Sequence, residues 1–105
     1  MSREQDIERE IVEKGLMAPR VTPEDIDRAI VAEHYHIVPG TTVTICSLVL
    51  RNGWVVNGES ACASHVNFDE ELGRKIAREN ARQKIWPLEG YLLKELLHVG
   101  RESVA

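Results

Sequence analysis

Residues 41–61 read TTVTICSLVLRNGWVVNGESA, and this stretch decides the fold class. Residues 41–50 are rich in β-branched side chains, and residues 54–61 supply a return strand. Between them stands Asn52-Gly53, the dipeptide favoured in a two-residue type I′ turn because both central residues take positive φ. The expectation is a β-hairpin around Asn52-Gly53. Within the first strand Val43, Ile45 and Val49 share one face, while Cys46, Leu48 and Leu50 share the other. A strand apolar on both faces calls for cover on both, from helices on one side and a second subunit on the other.

On the amino-terminal side, Tyr35, Ile37 and Val38 continue an extended pattern from His34 to the turn signal Pro39-Gly40. Before it, Thr22-Pro23-Glu24-Asp25 is a helix start: Thr22 can accept from a free N–H, Pro23 suits the first turn, and the acids suit the positive end of the dipole. Ile26, Ile30 and Val31 then form the buried stripe of a short helix. Residues 3–14 form a charged helix with a narrow apolar stripe of Ile7, Ile11 and Val12, ended by Gly15. A linker broken by Pro19 follows.

On the carboxyl side, Asn67-Phe68-Asp69-Glu70 opens a long helical segment, with Asn67 as N-cap and Glu70 at the capping-box position. Leu72, Ile76, Ile85, Leu88, Leu92 and Leu96 keep nearly one phase, so the stripe runs past Pro87, where a kink or short break is expected. These elements make an α+β fold: a small antiparallel sheet packed with amino-terminal helices and a long, proline-kinked carboxyl-terminal helix. Residues 1–105 form one domain, with a helix and linker in 1–21, a core in 22–100 and a loose tail in 101–105.

The chain is 105 residues long with 5% aromatic content, so its core is aliphatic and thin. Self-association would add buried area that so short a chain lacks. A net charge of −4 makes duplex nucleic acid an unfavoured partner. No apolar run approaches the roughly 20 residues that span a bilayer. Cys46 and Cys62 lack CxxC spacing and read as two free thiols of a cytosolic protein rather than a disulfide.

The catalytic options are weak. Ser60 and Ser64 lack the glycines of a nucleophile elbow. Cys62 and His65 read better as a packed thiol and a surface imidazole than as nucleophile and base. His34-x-His36 puts two imidazoles on one strand face, but no third metal ligand is evident, so no metal or cofactor is expected. The absence of a phosphate-gripping glycine loop completes the expectation of a non-enzymatic protein.

Charge is unevenly placed. Residues 74–84 carry five basic side chains against one acid. Arg74, Arg78 and Arg82, spaced i, i+4 and i+8, lie along one side of a helix. A solvated helix face is one reading; a multidentate grip on phosphate is the other, for which guanidinium is better shaped than ammonium. Arg51 in the hairpin turn is a further contributor. Phe68, the sole phenylalanine, is either a plug at the helix start or a platform on which a purine stacks. Asn67 and Asn80 could read a base edge or a ribose hydroxyl.

Three blocks carry a family resemblance: Gly58-Glu59-Ser60-Ala61-Cys62-Ala63-Ser64; Asn67-Phe68-Asp69, continuing as Glu71-Leu72-Gly73-Arg74-Lys75-Ile76-Ala77-Arg78; and Lys84-Ile85-Trp86-Pro87-Leu88-Glu89-Gly90-Tyr91. Over about residues 22–97 the chain resembles the gene-49/gene-66 family of small phage proteins. More loosely, it is similar to the first Thoeris anti-defence protein, which sequesters cyclic ADP-ribose isomers without cleaving them. That resemblance implies a phage- or prophage-encoded protein of the bacterial host cytoplasm, working as a dimer or trimer of dimers. It also implies a cyclic ADP-ribose isomer or other cyclic nucleotide as ligand, cyclic oligonucleotides among them. The residues placed on the matching motif as ligand-binding are Phe68, Arg74, Arg78, Arg82, Asn67 and Arg51. A phage protein-interaction module that inhibits or recruits a host protein is the alternative.

Overall fold

The computed structural model describes residues 3–104, with side chains through residue 100. Its elements run α1 (Arg3–Glu13), α2 (Pro23–Ala29), β1 (Ile30–Ile37), β2 (Val43–Leu50), β3 (Val55–Ala61), a 3-10 turn (His65–Asn67), α3 (Glu70–Gln83) and α4 (Ile85–Val104). The fold is α+β, as the sequence predicts. By contacts the chain divides into two units, one of Ala29–Ile85 and one of Met1–Arg28 with Trp86–Ala105.

In the first unit three antiparallel strands pair in the order β1-β2-β3, and α3 packs on β2 and β3. Thr44, Cys46, Leu48 and Leu50 of β2 are buried, while the alternate residues are half-buried. The helix therefore covers the Cys46–Leu48 face. The Val43–Ile45–Val49 face is left partly open, and β1 places His34 and His36 beside it. Burial pushes the Cys46 thiol pKa up, so this free cysteine is a neutral packing group.

The hairpin forms where expected but by a different turn. Asn52 does not take positive φ; Gly53 alone does, at 89°. Gly53 N–H donates to Leu50 O (2.8 Å) and Leu50 N–H to Trp54 O (2.8 Å), which closes a three-residue loop ending in a left-handed glycine. Asn52 Oδ1 accepts from Trp54 N–H at 3.0 Å, so its side chain supports the turn instead of its own backbone φ. Strand β1 begins at Ile30, four residues before the expected start, with a bulge between Ile30 and Ala32. Ile30 and Val31 fit both a helical stripe and a strand, and pairing with β2 selects the strand.

The helix α3 starts two residues later than expected. Asp69, not Asn67, is its N-cap, accepting from Leu72 N–H at 3.0 Å. Asn67 instead ends the 3-10 turn, which Ser64 caps through Val66 N–H. The long helix breaks at Lys84, whose N–H turns to Ala81 O and Arg82 O. Pro87 thereby falls in the first turn of α4, where its missing N–H has no helical acceptor to leave empty.

In the second unit Thr22 and Asp25 cap α2 reciprocally: Asp25 N–H donates to Thr22 Oγ1 (3.2 Å) and Thr22 N–H to Asp25 Oδ2 (2.9 Å). Gly15, at φ 68°, ends α1 as read from sequence. Arg20 reaches back to Glu8 at 2.5 Å, tying the linker to α1. The helix α4 continues through the expected tail to Val104, whereas Ala105 and side chains beyond residue 100 lie outside the described residues. No helix among the described residues is long and apolar enough to cross a membrane.

Candidate functional site

The line Gly73–Ala77–Ala81 of α3 lies on the sheet. A Cβ placed on Gly58 of β3 would come within 2.1 Å of Ala81 N and 2.3 Å of Ala77 O, so helix and strand meet backbone to backbone. At Gly73 the same test meets Thr44 Oγ1 at 2.9 Å. Ser60 Oγ donates to Gly73 O at 2.7 Å, whereas the fully buried Thr44 Oγ1 has no hydrogen-bond partner.

One flank of this seam opens into a cavity of about 190 Å³ at the mouth of α3. Phe68, Leu72 and Ile76 give its apolar wall; Thr42, Ser60, Cys62, Asn67 and Asp69 supply polar groups. Positions 69, 72, 73 and 76 share one helix face, which explains why they line it together. Phe68 is half-buried, held between the 3-10 turn and the cap of α3. Thr42 Oγ1 donates to Cys62 O, and the Cys62 thiol donates to Ser64 O at 3.2 Å. The thiol is thus turned to a carbonyl oxygen.

The arginine row lies on the other flank of α3 and does not line the cavity. Arg74 is half-buried and faces Glu70 at 3.8 Å. Arg78 Nε donates to Glu33 Oε2 of β1 at 2.9 Å, and Tyr35 Oη donates to Glu33 Oε1 at 3.0 Å. Arg82 is only 7% exposed. Arg51 stands exposed in the hairpin turn. The structure therefore joins Asn67 and Phe68 in one cavity and separates them from the arginines within a chain. Asn80 is committed to the fold, donating to Glu59 O at 2.8 Å. Thr42 and Ser60 line the cavity beside Phe68 although neither is near it in sequence. The alternation of β3 is the one sequence signal for Ser60; Thr42 reaches the cavity through the pairing of β2 with β3.

The hydrogen bond from Arg78 holds the Glu33 carboxyl below its ordinary range, with smaller help from Tyr35. Burial, with the bond to Glu33, pushes the Tyr35 phenol up to about 12. A depressed carboxyl pKa stabilises the folded state above the unfolded value, and the contribution is lost as pH falls through the folded value. Arg78→Ala should therefore lower unfolding free energy by up to about 1 kcal/mol at neutral pH, since the pair is partly exposed. Urea titrations should show that difference shrinking once Glu33 protonates. A difference that holds constant to about pH 2 would mean that lost packing, and not the ion pair, causes it.

No group of three or more His, Cys, Asp or Glu side chains among the described residues is arranged to hold a metal ion. Residues 21–97 match the profile of the phage protein (N4 Gp49/phage Sf6 gene 66) family. Neither curated proteins nor solved structures give a match.

Proposed function

The chain belongs to that phage protein family, and from this premise we propose that it is a binding protein that sequesters a cyclic nucleotide immune signal without cleaving it. The ligand class is the cyclic ADP-ribose isomers, with cyclic oligonucleotides as further members, and the working form is a homo-oligomer in the host cytoplasm. The Phe68 cavity carries this reading. At about 190 Å³ it is smaller than the roughly 300–1,000 Å³ that encloses a whole drug-sized ligand, so it takes one ring system and not a dinucleotide.

The half-buried Phe68 ring offers a face to a purine, while Asn67, Asp69 and Ser60 offer acceptors and donors for a base edge or ribose hydroxyls. Asp69 at the rim repels phosphate, so the phosphates lie outside the cavity. On this reading they meet Arg74 and Arg78 of a second copy, because the arginine flank of the same chain faces elsewhere. The loose resemblance read from the sequence to the first Thoeris anti-defence protein points to the same ligand class. Incubation with a cyclic ADP-ribose isomer followed by heat denaturation should return the ligand with unchanged mass. A hydrolysed product would replace sequestration with catalysis.

One observation favours a second reading, a module that inhibits or recruits a host protein. On α4, Leu92 is 42%, Leu96 61% and Tyr91 75% exposed, a concentration of apolar surface on one helix. In that case Leu92→Asp would abolish capture of a host protein, and added nucleotide would not matter.

A further inference from the structure

Two of the three strands are outer, and they are not alike. On β3, Leu50 N–H bonding to Trp54 O sets the alternation that turns the Glu59 carbonyl away from β2. There Asn80 occupies it at 2.8 Å. On β1, Val38 N–H donates to Val43 O, so the backbone groups of Ala32, His34, His36 and Val38 face β2. Those of Glu33, Tyr35 and Ile37 face outward, along an edge that pairs with no other strand of the sheet. An open edge of this kind is a template for another strand.

The usable length of that edge is bounded. At one end the bulge at Val31 breaks the register, and at the other Pro39 has no N–H to give. The regular run is residues 32–38, whose midpoint is Tyr35. An antiparallel copy of the same run can use all of it in one register only, with Tyr35 opposite its own counterpart and Ala32 opposite Val38. That register sets His34 directly opposite His36 of the second copy, twice. These are non-hydrogen-bonded positions, where paired Cα atoms stand about 4.5 Å apart and side chains are closest.

His34 and His36 are both exposed and both lie on the face away from α3. In one chain they are two ligands without a third among the described residues. Two from each copy make four imidazole nitrogens on one face, enough to fill the four-coordinate shell of zinc, for which imidazole nitrogen is a fitting ligand. We propose that the outer edge of β1 pairs with a second copy of this chain, centred on Tyr35, and that His34 and His36 of both copies hold one zinc ion. The outward rows on the other face bring Tyr35 against Tyr35, an aromatic cross-strand pair that adds to the contact. The site stands whatever the Phe68 cavity takes.

The full chain, titrated with zinc chloride and followed by equilibrium dialysis and sedimentation, should bind one zinc ion for every two chains. His34→Ala and His36→Ala should each lose that zinc while melting as the parent does, because both side chains are exposed. The register has its own readout. When His34→Cys chains are mixed with His36→Cys chains and oxidised, the mixed 34–36 cross-link should exceed the statistical share over 34–34 and 36–36. Absence of zinc binding at micromolar levels, or one zinc for each chain, overturns the metal site. A cross-link distribution with no excess of the mixed species overturns the edge pairing.

Discussion

Gly58→Ala is expected to destabilise the chain by roughly 3 kcal/mol or more, at the upper end of the overpacking range. The new methyl would lie 2.1 Å from Ala81 N, 2.3 Å from Ala77 O and 2.7 Å from Ala81 Cα. All three are backbone atoms of α3, so no rotamer change relieves the contact. The helix itself must lift from the sheet, and lifting it loosens Ala77 and Ala81, both fully buried now. Urea denaturation should show a lower midpoint with a similar slope. Gly90→Ala supplies the contrast. A Cβ at that interior position of α4 meets nothing within 4 Å. Alanine there should raise stability by up to about 1 kcal/mol through helix propensity. If Gly58→Ala costs no more than a surface change, the backbone contact between α3 and β3 is not what the structure places there.

Phe68→Ala is expected to weaken ligand binding by about 10- to 100-fold, the value of one base stacked on an aromatic ring (roughly 1–3 kcal/mol). Phe68 is half-buried, so its loss opens the cavity without emptying the core. Phe68→Tyr keeps a ring face and should retain most of the affinity. The arginines divide differently. Arg74→Ala should weaken binding, because its guanidinium is accessible and only loosely paired, at 3.8 Å, with exposed Glu70. Arg82→Ala should appear first as lost stability, since the side chain is 7% exposed. Circular dichroism beside each binding curve separates the two effects. Equal losses of affinity at Phe68 and at Arg82, with stability unchanged, would move the site from the cavity to the arginine row.

The sheet was legible because β-branched alternation and Asn-Gly act locally, through strand geometry and turn conformation. The turn type was not legible. Asn52-Gly53 suits both a two-residue and a three-residue loop, and the bond from Trp54 N–H to Asn52 decides between them. Asn67 and Asp69 compete in the same way as helix caps; the Ser64-capped turn before them uses up Asn67 and leaves the role to Asp69. The spacing of Arg74, Arg78 and Arg82 sets them along one side of α3. What spacing does not carry is which strand lies below that side. Glu33 is forty-five positions from Arg78 in sequence, and only the sheet order brings β1 within reach. Gly58 and Gly73 gave no signal beyond being glycines, because close approach depends on the partner backbone. The break at Lys84 instead of Pro87 follows the same lesson: a proline sets where a helix cannot bond, and the chain chooses the nearest place to restart.

The most direct measurement of the central claim is isothermal titration calorimetry of the purified chain with cyclic ADP-ribose isomers, run beside Phe68→Ala. The account predicts saturable binding at micromolar concentration or tighter, weakened about 10- to 100-fold by Phe68→Ala, with the ligand recovered uncleaved. No heat of binding for any isomer or cyclic oligonucleotide at those concentrations, from a chain that is folded and oligomeric, would contradict it.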